Sequence, residues 1–93
     1  PVRLAVAEAA PRVEYEDRFG NLVTNVAAAA LAGIRAVAIA GVEVPLVGTY
    51  ADVVPGAPLA LVGSFGRLEV AVRDGSAART LGAGRGAALE LLR

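Results

Sequence analysis

The chain reads as a mainly β domain, and three features of the sequence lead there. Residues 12–18 and 67–73 alternate polar and apolar side chains with a period of two, the mark of a strand with one wet face. Turn signals recur at close spacing, at Phe19-Gly20, Ala40-Gly41, Pro55-Gly56 and Asp74-Gly75. Several short strands so punctuated build an antiparallel barrel or sandwich. The small side chains of the abundant Ala and Gly suit a narrow closed barrel, whose interior must be filled by side chains. With 93 residues, 56% hydrophobic and 19% charged, the composition is globular and sufficient for one domain with one modest core. No linker or internal repeat divides it, so residues 1–93 are expected to form a single domain.

In chain order, the first alternating stretch puts Val13, Tyr15 and Asp17 on one side and Arg12, Glu14, Glu16 and Arg18 on the other. Asp17 thereby falls on the core side at a strand end. A carboxylate there must be paired or hydrogen-bonded. It either caps the Phe19-Gly20 turn or faces the amine of a ligand. Residues 26–32, rich in Ala and followed by Gly33, read as a short helix with Asn25 near its N-cap. Residues 34–40 form an apolar strand, and residues 42–47 a second one that Pro45 confines to an edge or bulge. Tyr50 lies in a Gly-flanked loop, outside any alternating stretch. Val54-Pro55-Gly56-Ala57 has the Pro-Gly pair of a type II turn. A buried strand over 59–62 reverses at 63–66 into the second alternating stretch, with Leu68, Val70 and Val72 inward. Ser76 caps a helical turn over 76–81, and residues 87–92 are the last strand.

Composition excludes several chemistries. The 9 basic and 9 acidic residues give a formal net charge of +0, against the basic excess of a nucleic-acid binder, and 4% aromatics leave few stacking platforms. An oligonucleotide-binding barrel is thus disfavoured. With no Cys there is no disulfide or thiolate metal site; with no His, the usual general base and commonest metal ligand are absent. No metal site is expected. Residues 1–10 contain Arg3 and Glu8 and lack the long apolar core of a signal peptide. Residues 26–42 are broken by Gly33, Arg35 and Gly41, whereas a membrane span needs about 20 consecutive apolar residues. A cytoplasmic location without membrane contact is the expectation. The chain has no Met, which fits either excision of an initiator before Pro1 or a piece of a longer protein.

Two ordered blocks carry a resemblance. The first is Asp17-Arg18-Phe19-Gly20-Asn21-Leu22-Val23-Thr24-Asn25, in which five backbone-directing residues crowd one turn. The second is Ser64-x-Gly66-x-Leu68-Glu69-Val70-Ala71-Val72, followed by Gly75-Ser76-Ala77-Ala78. A weaker match lies between them, at Thr49-Tyr50-Ala51-Asp52 with Gly56. In order and spacing these resemble the C-terminal domain of the S-adenosyl-L-methionine hydroxide adenosyltransferases, adenosine-forming hydrolases related to the fluorinating enzymes.

The resemblance implies a small closed antiparallel β-barrel, Greek-key-like, with one or two short helical turns, at the C-terminus of a two-domain protein. It implies a homotrimer, with each site between the N-terminal domain of one subunit and the C-terminal domain of its neighbour. Asp17, Asn21 and Ser64 match positions at the methionine or ribose part of the substrate. Tyr50, Phe65, Glu69 and Val72 match positions lining the adenosyl pocket, and backbone groups of Arg73 and Asp74 would face the adenine edge. No catalytic residue is expected in this chain, since the family's water-activating Asp, Arg and His lie in the N-terminal domain. The chain alone should therefore be inert. S-adenosyl-L-methionine is substrate, and no cofactor is implied. Gly63 stands where Asn is usual, Arg73 where Asn is frequent, and Val23 where fluorinating relatives carry Trp. The alternative is an assembly module with no small-molecule site. Convergence of Asp17, Asn21, Tyr50 and Ser64 on one edge would separate the two.

Overall fold

The computed structural model describes residues 10–93. The stretch holding Arg3 and Glu8, read above for a leader, lies outside the described residues. Among the described residues, seven strands form two antiparallel sheets. They are β1 (Val13–Glu16), β2 (Leu22–Ala27), β3 (Ala36–Ile39), β4 (Val42–Pro45), β5 (Pro58–Val62), β6 (Arg67–Val72) and β7 (Leu89–Leu92). One sheet has the order β1-β2-β6-β5 and the other β4-β3-β7. One short helix, α1 (Ala77–Leu81), and 3-10 turns at Ala28–Leu31 and Tyr50–Asp52 complete the described elements. Among the described residues no helix is long and apolar enough to cross a membrane.

The expected closed barrel is replaced by these two sheets. At each seam a single isolated bridge stands where a ladder would close the barrel, parallel at Leu46–Ala60 and antiparallel at Arg12–Ala88, with a few backbone bonds beside it. Prolines stand at both seams. Pro45 ends β4, Pro58 starts β5 and Pro11 precedes Arg12. Proline has no N–H to donate, so neither bridge extends into a ladder.

One core lies between the sheets. The four-stranded sheet contributes Val13, Leu22, Val26, Leu68, Val70 and Val72, and the three-stranded sheet contributes Val37, Ile39, Val44 and Leu89. The inward alternation of Leu68, Val70 and Val72 is as the sequence predicts.

Two irregularities redirect side chains. Val13 pairs with Thr24 but Tyr15 pairs with Val23, so β1 carries one extra residue between them. Such a bulge reverses the facing of everything after it. Tyr15 consequently leaves the core side expected for it and is 47% exposed on the outer face. In β2 the register slips again between Val23 and Ala27. Thr24 fills that irregularity: its Oγ1–H donates to the Leu68 carbonyl at 2.7 Å, and the same oxygen accepts from the Val26 N–H at 3.1 Å.

The helix expected over 26–32 also resolves differently. Val26 and Ala27 belong to β2, and only a 3-10 turn follows, with Ala27 at its start and no side-chain cap. An Ala-rich segment of one or two turns has little helical stability of its own, and the pairing of β2 with β6 takes its first residues. Asn25 does other work: its Oδ1 accepts from the Arg12 N–H and its Nδ2 donates to the Ala10 carbonyl. Ser76 does cap α1, accepting from the Arg79 N–H at 3.2 Å.

Candidate functional site

The two motif blocks are neighbours in space because β2 and β6 pair. Tyr15 pairs with Val23, Val23 with Glu69, and Glu69 with Leu61. Cross-strand partners point to the same face, so this row lies on the outer face of the four-stranded sheet. A cleft of about 300 Å³ opens there, lined by Tyr15, Val23, Phe65, Arg67 and Glu69. Arg67 closes one side and is itself held by Glu14, Nη1 to Oε1 at 2.8 Å.

Glu69 is the least satisfied charge in the cleft. Its carboxylate makes no hydrogen bond or ion pair with any described residue. Burial holds its pKa above the ordinary value, and the nearby charge of Asp17 adds to the rise. The side chain folds against Gly63, where a Cβ would overlap the Glu69 carboxyl group. Gly63 thereby leaves the room that Glu69 occupies.

Asp17 is committed to the β1–β2 turn. Its Oδ1 accepts from the N–H groups of Phe19 at 2.8 Å and Asn21 at 3.0 Å, and its Oδ2 accepts from Asn21 Nδ2 at 3.1 Å. Of the two roles considered for it, the turn cap is present. A carboxylate has about four acceptor positions, so three such bonds leave room for a further donor. Gly20, at φ 85°, packs where a side chain would overlap Ser76, and its carbonyl accepts from the Ala78 N–H. The first motif block therefore docks directly on the start of α1, within the second. At its tip the Arg18 guanidinium lies 5.1 Å from the centre of the Phe19 ring.

The expected site residues do not converge on one edge. Asp17 and Asn21 sit at the end of the sheet where β6 leaves through Val72 and β5 enters at Pro58. Arg73 and Asp74 follow Val72 at that end. The loop bearing Tyr50 is tied there by bonds between Arg73 and residues 53–57. Ser64 and Phe65 occupy the β5–β6 hairpin at the opposite end, roughly 16 Å away at about 3.3 Å per residue along β6. Glu69 lies between the two ends. The Val72 side chain faces the core. Thus the methionine-side set and the adenosyl-side set are each divided between the ends.

Sequence reasoning passed over Tyr15 and Arg67 as cleft residues. The bulge that turns Tyr15 outward leaves no sign in the alternation. Arg67 was legible as an outward residue, but nothing in its neighbours marked a cleft. All four aromatic rings are exposed: Phe65 at 87%, Phe19 at 66%, and Tyr15 and Tyr50 close to half.

The fold and this face define a two-sheet antiparallel β domain with an acidic and aromatic cleft on the outside of its larger sheet. Residues 11–90 match the family model described as the SAM hydroxide adenosyltransferase C-terminal domain, and the chain belongs to that family. It is 45% identical, over 76 residues, to a protein of Thermus thermophilus named (R)-S-adenosyl-L-methionine hydrolase; the match covers 82% of this chain and 29% of that protein. Two crystal structures share the fold. One is a conserved hypothetical protein, also from Thermus thermophilus, with a TM-score of 0.76 and 40% identity over 88% of this chain and 34% of that one. The other is an uncharacterised conserved protein from Thermotoga maritima, with a TM-score of 0.78 and 27% identity over 89% and 35%. The chain thus spans about a third of the length of these relatives.

Proposed function

We propose that this chain is the substrate-holding and assembly-forming C-terminal part of an enzyme that hydrolyses S-adenosyl-L-methionine to adenosine and L-methionine. The observation that carries this reading is the 45% identity to a protein bearing the hydrolase name, together with a family match spanning both motif blocks. In the reaction, a water or hydroxide oxygen bonds to the ribose carbon attached to the sulfonium. The electron pair of the broken C–S bond goes to sulfur, which leaves as the neutral thioether of methionine. The leaving group begins with its own positive charge, so no metal or redox cofactor is called for. The proton of the attacking water goes to a base in the N-terminal domain.

This chain then supplies binding. Asp17 and Glu69 place negative charge beside a cationic substrate, Asp17 through the acceptor capacity its turn bonds leave over. Asn21 and Ser64 serve the methionine or ribose part. Tyr50, Phe65 and Glu69 border the adenosyl group, and backbone groups of Arg73 and Asp74 face the adenine edge, Arg73 through the second acceptor position of its carbonyl. Ser64 and Phe65 reach the same ligand only if it lies along β6 past Glu69. The exposure of all four aromatics supports a surface that further protein covers, namely the N-terminal domain of a neighbouring subunit in a homotrimer. Val23, in place of a Trp, favours water or hydroxide over halide.

The test is product analysis. The full-length protein should convert S-adenosyl-L-methionine to adenosine and methionine in equal amounts, and the 93-residue chain alone should release neither. Turnover by the isolated chain, abolished by a substitution within it, would overturn this division of labour.

A further inference from the structure

Arg73 has a side-chain partner that a contact with the substrate does not explain. It follows β6 and is half-buried. Its Nη1 donates to the Val53 carbonyl at 2.6 Å. Its backbone N–H donates to the Ala57 carbonyl at 3.0 Å, and its own carbonyl accepts from the Gly56 N–H at 2.7 Å. One residue at the strand end thus holds three residues of the loop before β5. Val53 closes the 3-10 turn Tyr50–Asp52, and its N–H donates back to the Tyr50 carbonyl at 3.2 Å. The carbonyl gripped by Arg73 therefore belongs to the residue that terminates the turn presenting Tyr50.

The two backbone bonds use only the main chain, so a side-chain change that keeps the backbone N–H leaves both in place. The bond to Val53 alone depends on the arginine side chain. It joins a charged donor to a carbonyl, and charge-assisted bonds are the stronger kind. An asparagine at this position, as the resemblance leads one to expect, has too short a side chain to make it.

We propose that Arg73 is a positioning residue whose guanidinium locks the Tyr50 turn and so sets the aromatic wall of the adenosyl pocket. The inference rests on the placing of Tyr50 in that pocket. The test uses the full-length protein carrying Arg73→Ala, Arg73→Asn or Arg73→Lys, and Arg73→Ala combined with Tyr50→Ala. Two quantities are read. One is hydrogen exchange of the Asp52 and Val53 amides, which bond the Thr49 and Tyr50 carbonyls. The other is KM and kcat for S-adenosyl-L-methionine hydrolysis.

Arg73→Ala and Arg73→Asn should each speed exchange and raise KM by roughly tenfold with kcat little changed. Arg73→Lys, which keeps a charged donor on a long stem, should recover part of both effects. In the Tyr50→Ala background, Arg73→Ala should add nothing further to KM, because the two act through one element. Unchanged exchange in both Arg73→Ala and Arg73→Asn overturns the lock, whatever the enzyme does. KM effects that multiply in the double variant overturn the route through Tyr50. A full-length protein that releases no adenosine fails the substrate reading instead, and faster exchange in the variants still upholds the lock.

Discussion

The two sheets divide the work of the domain. The three-stranded sheet has one apolar face. Val37, Ile39, Val44 and Leu89 point to the core, while Glu43 and Glu90, both paired with Ala38, face water. Its charges are solvated: Arg35 and Glu43 meet at 2.7 Å with both side chains more than half exposed, a pair worth less than about 1 kcal/mol. The four-stranded sheet is apolar on both faces. Leu22, Leu68 and Val70 fill the core, while Val23, Leu59 and Ala71 are buried outside the main core cluster. The same sheet carries two exposed rings and a carboxylate without a partner among the described residues, all beside one cleft. A sheet that only closes a core has no need of the second set. The difference fits the proposed reading, in which both sheets close the core and the larger one also carries recognition.

The sharpest break of this contrast is a truncation in the smaller sheet. Ile39 is 1% exposed, and Ile39→Ala should cost about 2–5 kcal/mol of stability. Ligand affinity of the folded fraction should stay intact. Denaturant unfolding with parallel ligand titration checks both, and lost affinity in a folded variant would erase the division.

Asp17→Asn probes the larger sheet in the opposite sense. Asn keeps an oxygen for the backbone N–H groups of Phe19 and Asn21 and loses only the bond from the Asn21 side chain, so the unfolding midpoint should move little. Substrate affinity should fall by the roughly 1.5–3 kcal/mol of a charge-assisted bond. An unchanged substrate dissociation constant would leave Asp17 as a turn cap alone.

The smallest effect concerns Glu69. A carboxyl whose folded-state pKa lies above its unfolded value stabilises the fold when protonated. That contribution is complete below the ordinary value of 4.5 and is lost as pH rises through the raised folded value. At neutral pH the partly buried charge therefore disfavours the fold. Glu69→Gln should raise the melting temperature near pH 7, and the gain should disappear in acid below the ordinary value. An equal gain at both pH values would mean that the charge is not its cause.

The contrast between sheets also explains what the sequence disclosed. The strands, the Pro45 edge, the Ser76 cap and the turn at residues 54–57 follow local rules. The Ala57 N–H does donate to the Val54 carbonyl, with Gly56 at φ 86°. The pairing of the two motif blocks follows from no spacing between them. Three things were not legible. The bulge in β1 is set by pairing with β2, and one extra residue inverts the facing of Tyr15 and Asp17 without altering the pattern of letters. Thr24 and Asn25 looked like the run-up to a helix, yet they staple the β2 irregularity and the chain before β1, because tertiary partners outweigh weak helical propensity. The open seams depend on which prolines meet at which edges, a long-range fact.

Tyr50 offers the most direct measurement, because its ring, on the loop that Arg73 ties to the end of the larger sheet, is the aromatic proposed to meet the base. It sits in a 3-10 turn outside the core and is 41% exposed. Adenosine should be titrated calorimetrically into the full-length protein and its Tyr50→Ala and Tyr50→Phe variants, alongside thermal melts. Stacking of a ring on a base is worth about 1–3 kcal/mol. Tyr50→Ala should therefore lose roughly ten- to a hundred-fold in adenosine affinity, with its melting temperature nearly unchanged, and Tyr50→Phe should keep most of the affinity. Intact adenosine affinity in a Tyr50→Ala protein of lowered melting temperature would contradict the account, making the ring a packing element and removing the aromatic wall proposed for the adenosyl group.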